Sequence, residues 1–192
     1  MPHLTNLQHT KASDEEIVSE YLKSQSSGHF DLLYKRYSGK IYGKCISLLK
    51  DEVAAQDAVQ EIFLKLIINL SKFSEKSRFS TWVYSITYNY CIDVLRRKKK
   101  TQKTFSDEDL DNLDVAENVE DSFILETEIK RLKVILNTLQ TEDKSVLMMK
   151  YQDEMSIKEI CEVLGKSESA VKMKIKRAKH KFKRIYQQSY KD

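Results

Sequence analysis

Proline and glycine are nearly absent from this sequence, which limits the folds open to it more than any other feature. Its 192 residues include one proline and four glycines. Sheets need frequent tight turns, and tight turns usually need Gly, Pro or an Asn-Gly pair. Apolar residues instead recur at three- and four-residue steps over long stretches, which is typical of amphipathic helices. We therefore predict an all-α fold in which long helices are joined by short polar connectors.

The same periodicity divides the chain into two small helical domains. Residues 14–100 are predicted to hold a short helix that opens with a capping box of Ser13 and Glu16, followed by longer helices over about 30–50, 52–70 and 80–100. Residues 123–192 are predicted to hold helices over about 123–139, from 141, over 156–164 and over 167–186. Residues 1–13 indicate a flexible polar tail. Residues 101–122 combine low hydrophobicity with high charge, which indicates a flexible acidic linker.

Two glycines lie inside the helix predicted over residues 30–50. Gly39 and Gly43 are four residues apart, and each costs a helix about 1 kcal/mol relative to alanine. Either another helix approaches closely at these positions or the helix simply tolerates them. The sequence leaves both explanations open.

Charge is distributed unevenly, although the net charge is only +4. Residues 30–100 carry 14 Lys/Arg against 7 Asp/Glu, and residues 156–192 carry 11 against 4. Between them, residues 101–128 carry one Lys against ten acids, a net charge of −9. Ordinary solvated helix faces would explain either basic stretch alone. Together they indicate two polyanion-binding units joined by a connector of opposite sign.

Cysteine usage and hydropathy narrow the class of protein. Cys45, Cys91 and Cys161 are widely spaced and show no metal-ligand spacing, so we expect reduced thiols in a cytoplasmic protein with no metal and no cofactor. No apolar run approaches the ~20 residues of a membrane span, so we expect no membrane insertion. The first eight residues lack the pattern of a signal peptide.

Residues 156–184 predict a helix-turn-helix. Ser156 and Glu159 form a second capping box, Gly165 supplies a left-handed turn residue, and the next helix has no acid from Lys172 to Arg184. A merely solvated helix would mix both charges to form ion pairs, whereas a cationic helix suits the major groove of DNA. The expected base contacts are Ser169, Lys172, Met173, Lys174 and Arg177, with Ser167 as the cap of this helix and Lys176 and Lys179 as phosphate contacts.

The first half of the chain carries less specific signals of function. Asp57, Gln60, Glu61 and Leu64 fall on neighbouring turns of one predicted helix, where they form either a protein-docking patch or an ordinary helix exterior. Several aromatic residues precede the basic run at 96–100, and they are either core residues or platforms on which unpaired bases stack. These aromatic residues are Phe79, Trp82, Tyr84, Tyr88 and Tyr90.

Residues 57–64, 79–89 and 93–97 resemble region 2 of extracytoplasmic-function (ECF) sigma factors of the sigma-70 family, and residues 139–182 resemble their region 4. The resemblance implies a bacterial transcription initiation factor, not an enzyme, that binds core RNA polymerase and promoter DNA and is held by an anti-sigma factor. It assigns the Asp57, Gln60, Glu61 and Leu64 patch to polymerase binding. It assigns the −10 element to Ser74, Phe79, Ser80, Thr81, Asn89, Arg96 and Arg97, and the −35 element to Lys150 with the residues of the basic helix named above.

The resemblance also implies that the acidic linker threads the channels of the polymerase. Two departures from the family pattern stand out. Leu139-Gln140-Thr141 replaces a common Leu-Pro-Pro turn, and Lys172 and Lys174 occupy positions often filled by arginine. Lysine offers a point charge where arginine offers a planar fork, which leaves the −35 preference open.

The competing functions are a conventional helix-turn-helix regulator that never joins polymerase and an enzyme that acts on nucleic acid.

Overall fold

A computed structural model of the protein describes residues 12–105 and 124–190. The predicted tail and most of the predicted linker lie outside the described residues. Within these two ranges the chain is helical and contains no strand, which confirms the all-α prediction. The helices are α1 (Asp14–Ser24), α2 (Ser27–Leu49), α3 (Glu52–Asn69), α4 (Phe79–Phe105), α5 (Ile124–Thr138), α6 (Thr141–Leu147), α7 (Ile157–Leu164) and α8 (Glu168–Ser189).

Two irregular turns interrupt this pattern. A 3₁₀ turn, Leu70–Lys72, follows α3, and a π-helical turn, Met148–Gln152, follows α6. Helix α4 runs five residues beyond the predicted boundary at Lys100, because residues 101–105 include no glycine, proline or asparagine that could stop it. The chain divides into two compact units at Thr101 and Gln102. No helix in the described part is long and apolar enough to cross a membrane.

The first unit is built around α2, which packs along α1 and α3. Small residues on α3, among them Ala55 and Ala58, are fully buried and let the α2 and α3 backbones approach each other. Cys91 on α4 lies 3.7 Å from Cys45 on α2, measured between the Sγ atoms. The core is completed by apolar side chains that are at most 5% exposed: Ile17, Leu33, Ile41, Ile62, Leu66 and Val83.

The second unit places α6 and α7 against α8. Val171, Ile175 and Ala178 form the buried face of α8, as the three- and four-residue spacing predicts. They meet an apolar core from the preceding elements, which includes Val146, Met149 and Ile160.

Local chemistry sets the helix-turn-helix. Ser156 Oγ accepts a hydrogen bond from the Glu159 amide at 3.2 Å, and the Glu159 carboxylate accepts the Ser156 amide at 2.9 Å. Gly165 ends α7 with φ +59°, and Ser167 caps α8 by accepting the Ala170 amide. The capping box, the turn glycine and the second cap are therefore confirmed.

The two helical glycines of α2 have no close neighbour. A Cβ atom built on Gly39 or Gly43 would meet no atom within 4 Å, so tolerance, and not a close helix approach, explains them. Gly165 also has open space, but its φ of +59° lies in the left-handed region that side chains disfavour.

Replacing Gly43 or Gly165 by alanine should change the stability of the protein in opposite directions. Gly43→Ala should stabilise the protein by about 0.5–1 kcal/mol, because alanine loses less backbone entropy in a helix. Gly165→Ala should destabilise it by roughly 1–2 kcal/mol, the cost of a left-handed conformation for an L-residue. Urea unfolding of both variants beside the parent chain measures the two effects. Equal signs for the two would contradict this account.

Candidate functional site

Some cationic side chains of helix α8 form ion pairs with nearby acids, and others do not. Lys172 Nζ is 3.0 Å from the Glu168 carboxylate one turn earlier, and Lys174 Nζ is 2.5 Å from the Glu142 carboxylate on α6. Lys181 Nζ is 2.6 Å from the Asp143 carboxylate. Three lysines of the basic helix are therefore neutralised by nearby acids.

The remaining cations of α8 are differently placed. Lys176 and Arg177 are exposed and form no ion pair within the described ranges. Both line an open groove of about 840 Å³ beside α8, together with Lys166, Met173 and His180. Its lining holds more cations than acids, with Asp143 as the acid, and therefore suits a polyanion.

Other predicted −35 residues differ in how freely they can reach DNA. Lys150 lies in the π-helical turn and donates to the Met155 carbonyl at 3.3 Å. Lys179 Nζ lies 6.0 Å from the centre of the Tyr151 ring. Ser169 is exposed, and its Oγ is 3.2 Å from Ser167 Oγ at the start of α8. These contacts are weak, so each of these groups can turn towards a ligand at small cost.

In the first unit a groove of about 370 Å³ lies between α3 and α4. Two predicted −10 residues, Asn89 and Arg97, line it from α4. Trp82 and Tyr90 supply aromatic walls on the same side. Burial, followed by the charge of Glu61, raises the pKa of the Tyr90 hydroxyl. The groove thus combines aromatic faces with hydrogen-bond donors.

The opposite wall of this groove comes from residues that sequence reasoning missed. Lys65, Asn69 and Lys72 follow one another at helical spacing along α3 and the 3₁₀ turn. Lys65 Nζ lies 5.9 Å from the centre of the Tyr90 ring, and Lys72 Nζ donates to Asn69 Oδ1 at 2.8 Å. Their spacing of four and three residues was a readable signal, but nothing local showed that they face α4.

Residues 73–78, here called the 73–78 loop, connect the 3₁₀ turn to α4. Ser74 is exposed at its start, and Ser80 is exposed just beyond its end. Phe79 and Thr81, in contrast, are only 1% and 3% exposed. In this conformation the protein covers both side chains, and their contact with the −10 element stays a prediction.

Aromatic contacts explain the burial of Phe79. Its ring lies 5.5 Å from Tyr37, 5.3 Å from Phe73 and 5.7 Å from Trp82, measured between ring centres. Trp82 also lines the α3–α4 groove. The cluster therefore joins the 73–78 loop to one wall of that groove.

Arg96 stands outside both grooves. It is exposed on α4, and its guanidinium is 3.7 Å from the Asp93 carboxylate. A pair this exposed contributes little to stability, so Arg96 remains available to a phosphate.

The four residues of the predicted docking patch are all exposed on one face of α3: Asp57, Gln60, Glu61 and Leu64. Leu64 is 54% exposed, and Ile68 one turn further on is 71% exposed. Two large apolar side chains in line with acidic neighbours are unusual for a solvated helix and typical of an interface. We call these five residues the α3 patch. Ile68 was not among the predicted residues.

No group of three or more His, Cys, Asp or Glu side chains that could hold a metal occurs among the described residues.

Comparison with known proteins identifies both units. Residues 33–101 match the family model for Sigma-70 region 2, and residues 129–182 match the family model for Sigma-70, region 4. The first match contains the α3 patch and the α3–α4 groove, and the second contains the helix-turn-helix. The resemblance noted from the sequence is confirmed in the same order along the chain.

Individual relatives agree with the family models. The chain is 30% identical over 179 residues to the ECF RNA polymerase sigma factor SigW of Bacillus subtilis, covering 86% of this chain and 94% of the relative. It is 28% identical over 163 residues to SigM of the same organism, covering 84% and 98%.

Solved structures share the fold. CnrH, solved in complex with the cytosolic domain of CnrY, superposes with a TM-score of 0.66 at 21% identity, covering 93% of this chain and 100% of that chain. The sigma factor RpoE of Bartonella quintana, solved with the anti-sigma factor NepR, gives a TM-score of 0.65 at 16% identity, covering 81% and 95%. With both sigma-70 regions matched and a relative aligned over nearly its whole length, the chain belongs to the extracytoplasmic-function subfamily of the sigma-70 family of RNA polymerase sigma factors.

Proposed function

We propose that the chain brings core RNA polymerase to promoters through the α3 patch, reads the −35 element with α8, and opens and captures the −10 element with the α3–α4 groove and the 73–78 loop. Because the chain belongs to this family, its general function is promoter-specific transcription initiation. The residue-level division of labour is what we propose. The observation that supports it most is that the α3–α4 groove gathers cationic, amide and aromatic side chains from two helices.

The groove has the chemistry that an unpaired strand needs. Single-strand binders combine cations that follow the backbone with aromatic rings on which bases stack. Lys65, Lys72 and Arg97 supply the charge, and Trp82 and Tyr90 supply the rings. A volume of about 370 Å³ falls within the range of pockets that hold small organic ligands. A base extruded from the duplex, at a cost of a few kcal/mol, is the ligand we assign to it.

Helix α8 would read duplex DNA through the cations that no acid neutralises. Arg177 carries a planar fork that suits a guanine edge, and Lys176 beside it suits a phosphate. Three other lysines must first break their ion pairs before they can contact DNA. These pairs are Lys172–Glu168, Lys174–Glu142 and Lys181–Asp143. We therefore assign base reading mainly to Arg177 with Ser169 and Met173, and a smaller share of affinity to the paired lysines.

The α3 patch would dock on the polymerase. Its apolar centre, Leu64 and Ile68, is flanked by Asp57, Gln60 and Glu61. A hydrophobic centre with a polar rim is the usual anatomy of a protein interface. An anti-sigma factor, as in the RpoE–NepR complex, would compete by covering such surfaces. We propose that the chain acts with these partners and without enzymatic activity of its own.

Run-off transcription with core polymerase and a library of −35 and −10 sequences tests the whole proposal. Transcripts should start at a fixed distance from one −35/−10 pair and should require this chain. A conventional helix-turn-helix regulator would bind DNA yet give no transcript with core polymerase alone. That outcome would remove the proposed function.

Polymerase affinity should depend on the α3 patch. Leu64→Ala and Asp57→Ala should each weaken binding to core polymerase by about tenfold, as expected for residues near an interface centre. Asp31→Ala removes an exposed acid from α2 and serves as the matched control, with unchanged affinity. Fluorescence anisotropy with labelled protein measures all three. Unchanged affinity for both patch variants would assign docking to another surface.

Two adjacent residues of α8 should behave differently on −35 DNA. Arg177→Ala should cost the complete polymerase complex about 1–3 kcal/mol and relax the preference at one base position, whereas Lys176→Ala should weaken all sequences alike and lower the salt slope by about 1. Lys181→Ala, whose ammonium is held by Asp143, should change affinity least. Competition binding at several salt concentrations separates the three. A uniform effect of Arg177→Ala across sequences would contradict its role as the base reader.

A further inference from the structure

The start of α4 has an unusual cap. The first amides of a helix lack partners within it, and a Ser, Thr, Asp or Asn just before the helix usually accepts one of them. Arg78 precedes Phe79, the first residue of α4, and a guanidinium cannot accept a hydrogen bond. The Phe79 amide instead donates to Glu15 Oε1 at 2.9 Å. Glu15 belongs to α1, 64 residues earlier in the chain.

Helix α1 is itself held firmly, so Glu15 has little freedom. Ser13 and Glu16 close a capping box at its start. The Asp14 carboxylate accepts a hydrogen bond from Arg36 Nη1 at 2.6 Å and another from the Tyr37 hydroxyl. Burial, together with this hydrogen bond, raises the pKa of the Tyr37 hydroxyl well above its usual range, so it remains a donor. Three consecutive acids thus perform three separate tasks, and Glu15 is the one whose carboxylate accepts an amide of α4.

The contacts of Asp14 and of Glu15 both lead to Phe79. Tyr37, fixed by Asp14, places its ring edge-on to the Phe79 ring, 5.5 Å between centres. Glu15 fixes the Phe79 backbone amide. Phe79, the residue that follows the 73–78 loop, is therefore held at its side chain and at its backbone by α1 and α2.

We propose that Glu15 is a positioning residue for strand opening: by capping α4 from α1, it holds the 73–78 loop and the Trp82 wall of the groove in the geometry that receives the unpaired −10 strand. This inference rests on the −10 part of the proposed function. Glu15 does not touch DNA in this role. A surface that is already ordered does not have to be ordered when the strand arrives, so more of the binding free energy is available for unstacking the base.

The step in which DNA melts distinguishes this role from general stabilisation. If Glu15 positions the loop, its loss should slow opening of a duplex promoter and should matter much less on a template whose −10 segment is already unpaired. A premelted strand removes the cost of unstacking and leaves time for the loop to adjust. A purely structural residue would affect both templates, and binding to polymerase, in proportion to the fraction of unfolded chain.

The experiment uses the full chain with core polymerase on matched duplex and premelted promoters. Glu15→Ala should lower the rate of open-complex formation on the duplex by about tenfold, the loss of one hydrogen bond between a charged and a buried group. On the premelted template its rate should change less than twofold, and affinity for core polymerase should be unchanged. Glu15→Gln keeps an oxygen that accepts the Phe79 amide and should retain most of the rate.

Three controls make the comparison decisive. Glu20→Ala removes an exposed acid from α1 that pairs with Lys23 and should behave as the parent chain. Ile17→Val leaves a small cavity in the same helix and should lower the melting temperature without changing the duplex-to-premelted ratio. If Glu15→Ala does not fold, Glu15→Asp, whose carboxylate is one methylene too short to reach, supplies the ratio.

Several outcomes would overturn the inference. Equal losses for Glu15→Ala on both templates, or a ratio no different from that of Ile17→Val, would make Glu15 structural only. A normal rate on the duplex would remove the role altogether. If the parent chain itself opened no duplex promoter, the proposed function would fail and this inference with it, whereas normal opening by the parent with an unaffected Glu15→Ala variant would overturn the inference alone.

Discussion

The unpartnered amides at helix starts are the constraint on which the rest of this structure depends. A chain with one proline and four glycines has few other means of ending one helix and beginning the next. Ser13, Ser156 and Ser167 cap α1, α7 and α8 from within their own segments. These local caps set the helix-turn-helix and the start of the first unit. Helix α4 is different, because its first amide is satisfied by Glu15 of another helix, and this difference ties the loop proposed to capture DNA to the N-terminal helix.

Opposite charges within the second unit limit what its basic helix can do. The sequence shows a run of cations without an acid from Lys172 to Arg184, but acids from outside that run hold Lys172, Lys174 and Lys181. The Lys172–Glu168 pair is exposed on both sides and worth little, so a DNA phosphate can displace Glu168 easily. Lys174 and Asp143 are largely covered, so their pairs are harder to displace. Each displacement nevertheless reduces the net gain from a phosphate contact. A factor whose free form binds DNA weakly, and gains affinity only when polymerase aligns both units, is consistent with this balance.

The sequence predicts those features of the structure whose interacting residues lie close together in the chain. The capping boxes, the Gly165 turn and the inward stripe of α8 were predictable, because every partner lies within a few residues. The change of composition at Lys100 predicts the end of α4, but the helix continues to Phe105, because residues 101–105 include no stop residue. The burial of Phe79 depends in part on Tyr37 of α2, and its cap depends on Glu15, 64 residues away. Lys65 and Asn69 showed helical spacing, but only the tertiary fold shows that they face Asn89 and Arg97.

Helix α3 has one buried face and two exposed faces to which we assign functions, and this joins the two halves of the proposed mechanism. One face, with Ala55, Ala58 and Ile62, is buried, and α3 packs against α2. A second face presents the α3 patch, and a third presents Lys65 and Asn69 to the groove. Since core side chains are closely packed, α3 cannot rotate or slide to serve one face without moving the others. A polymerase that docks on the patch therefore also sets the orientation of the groove, so that promoter opening needs no separate conformational signal between the docking surface and the strand-binding surface.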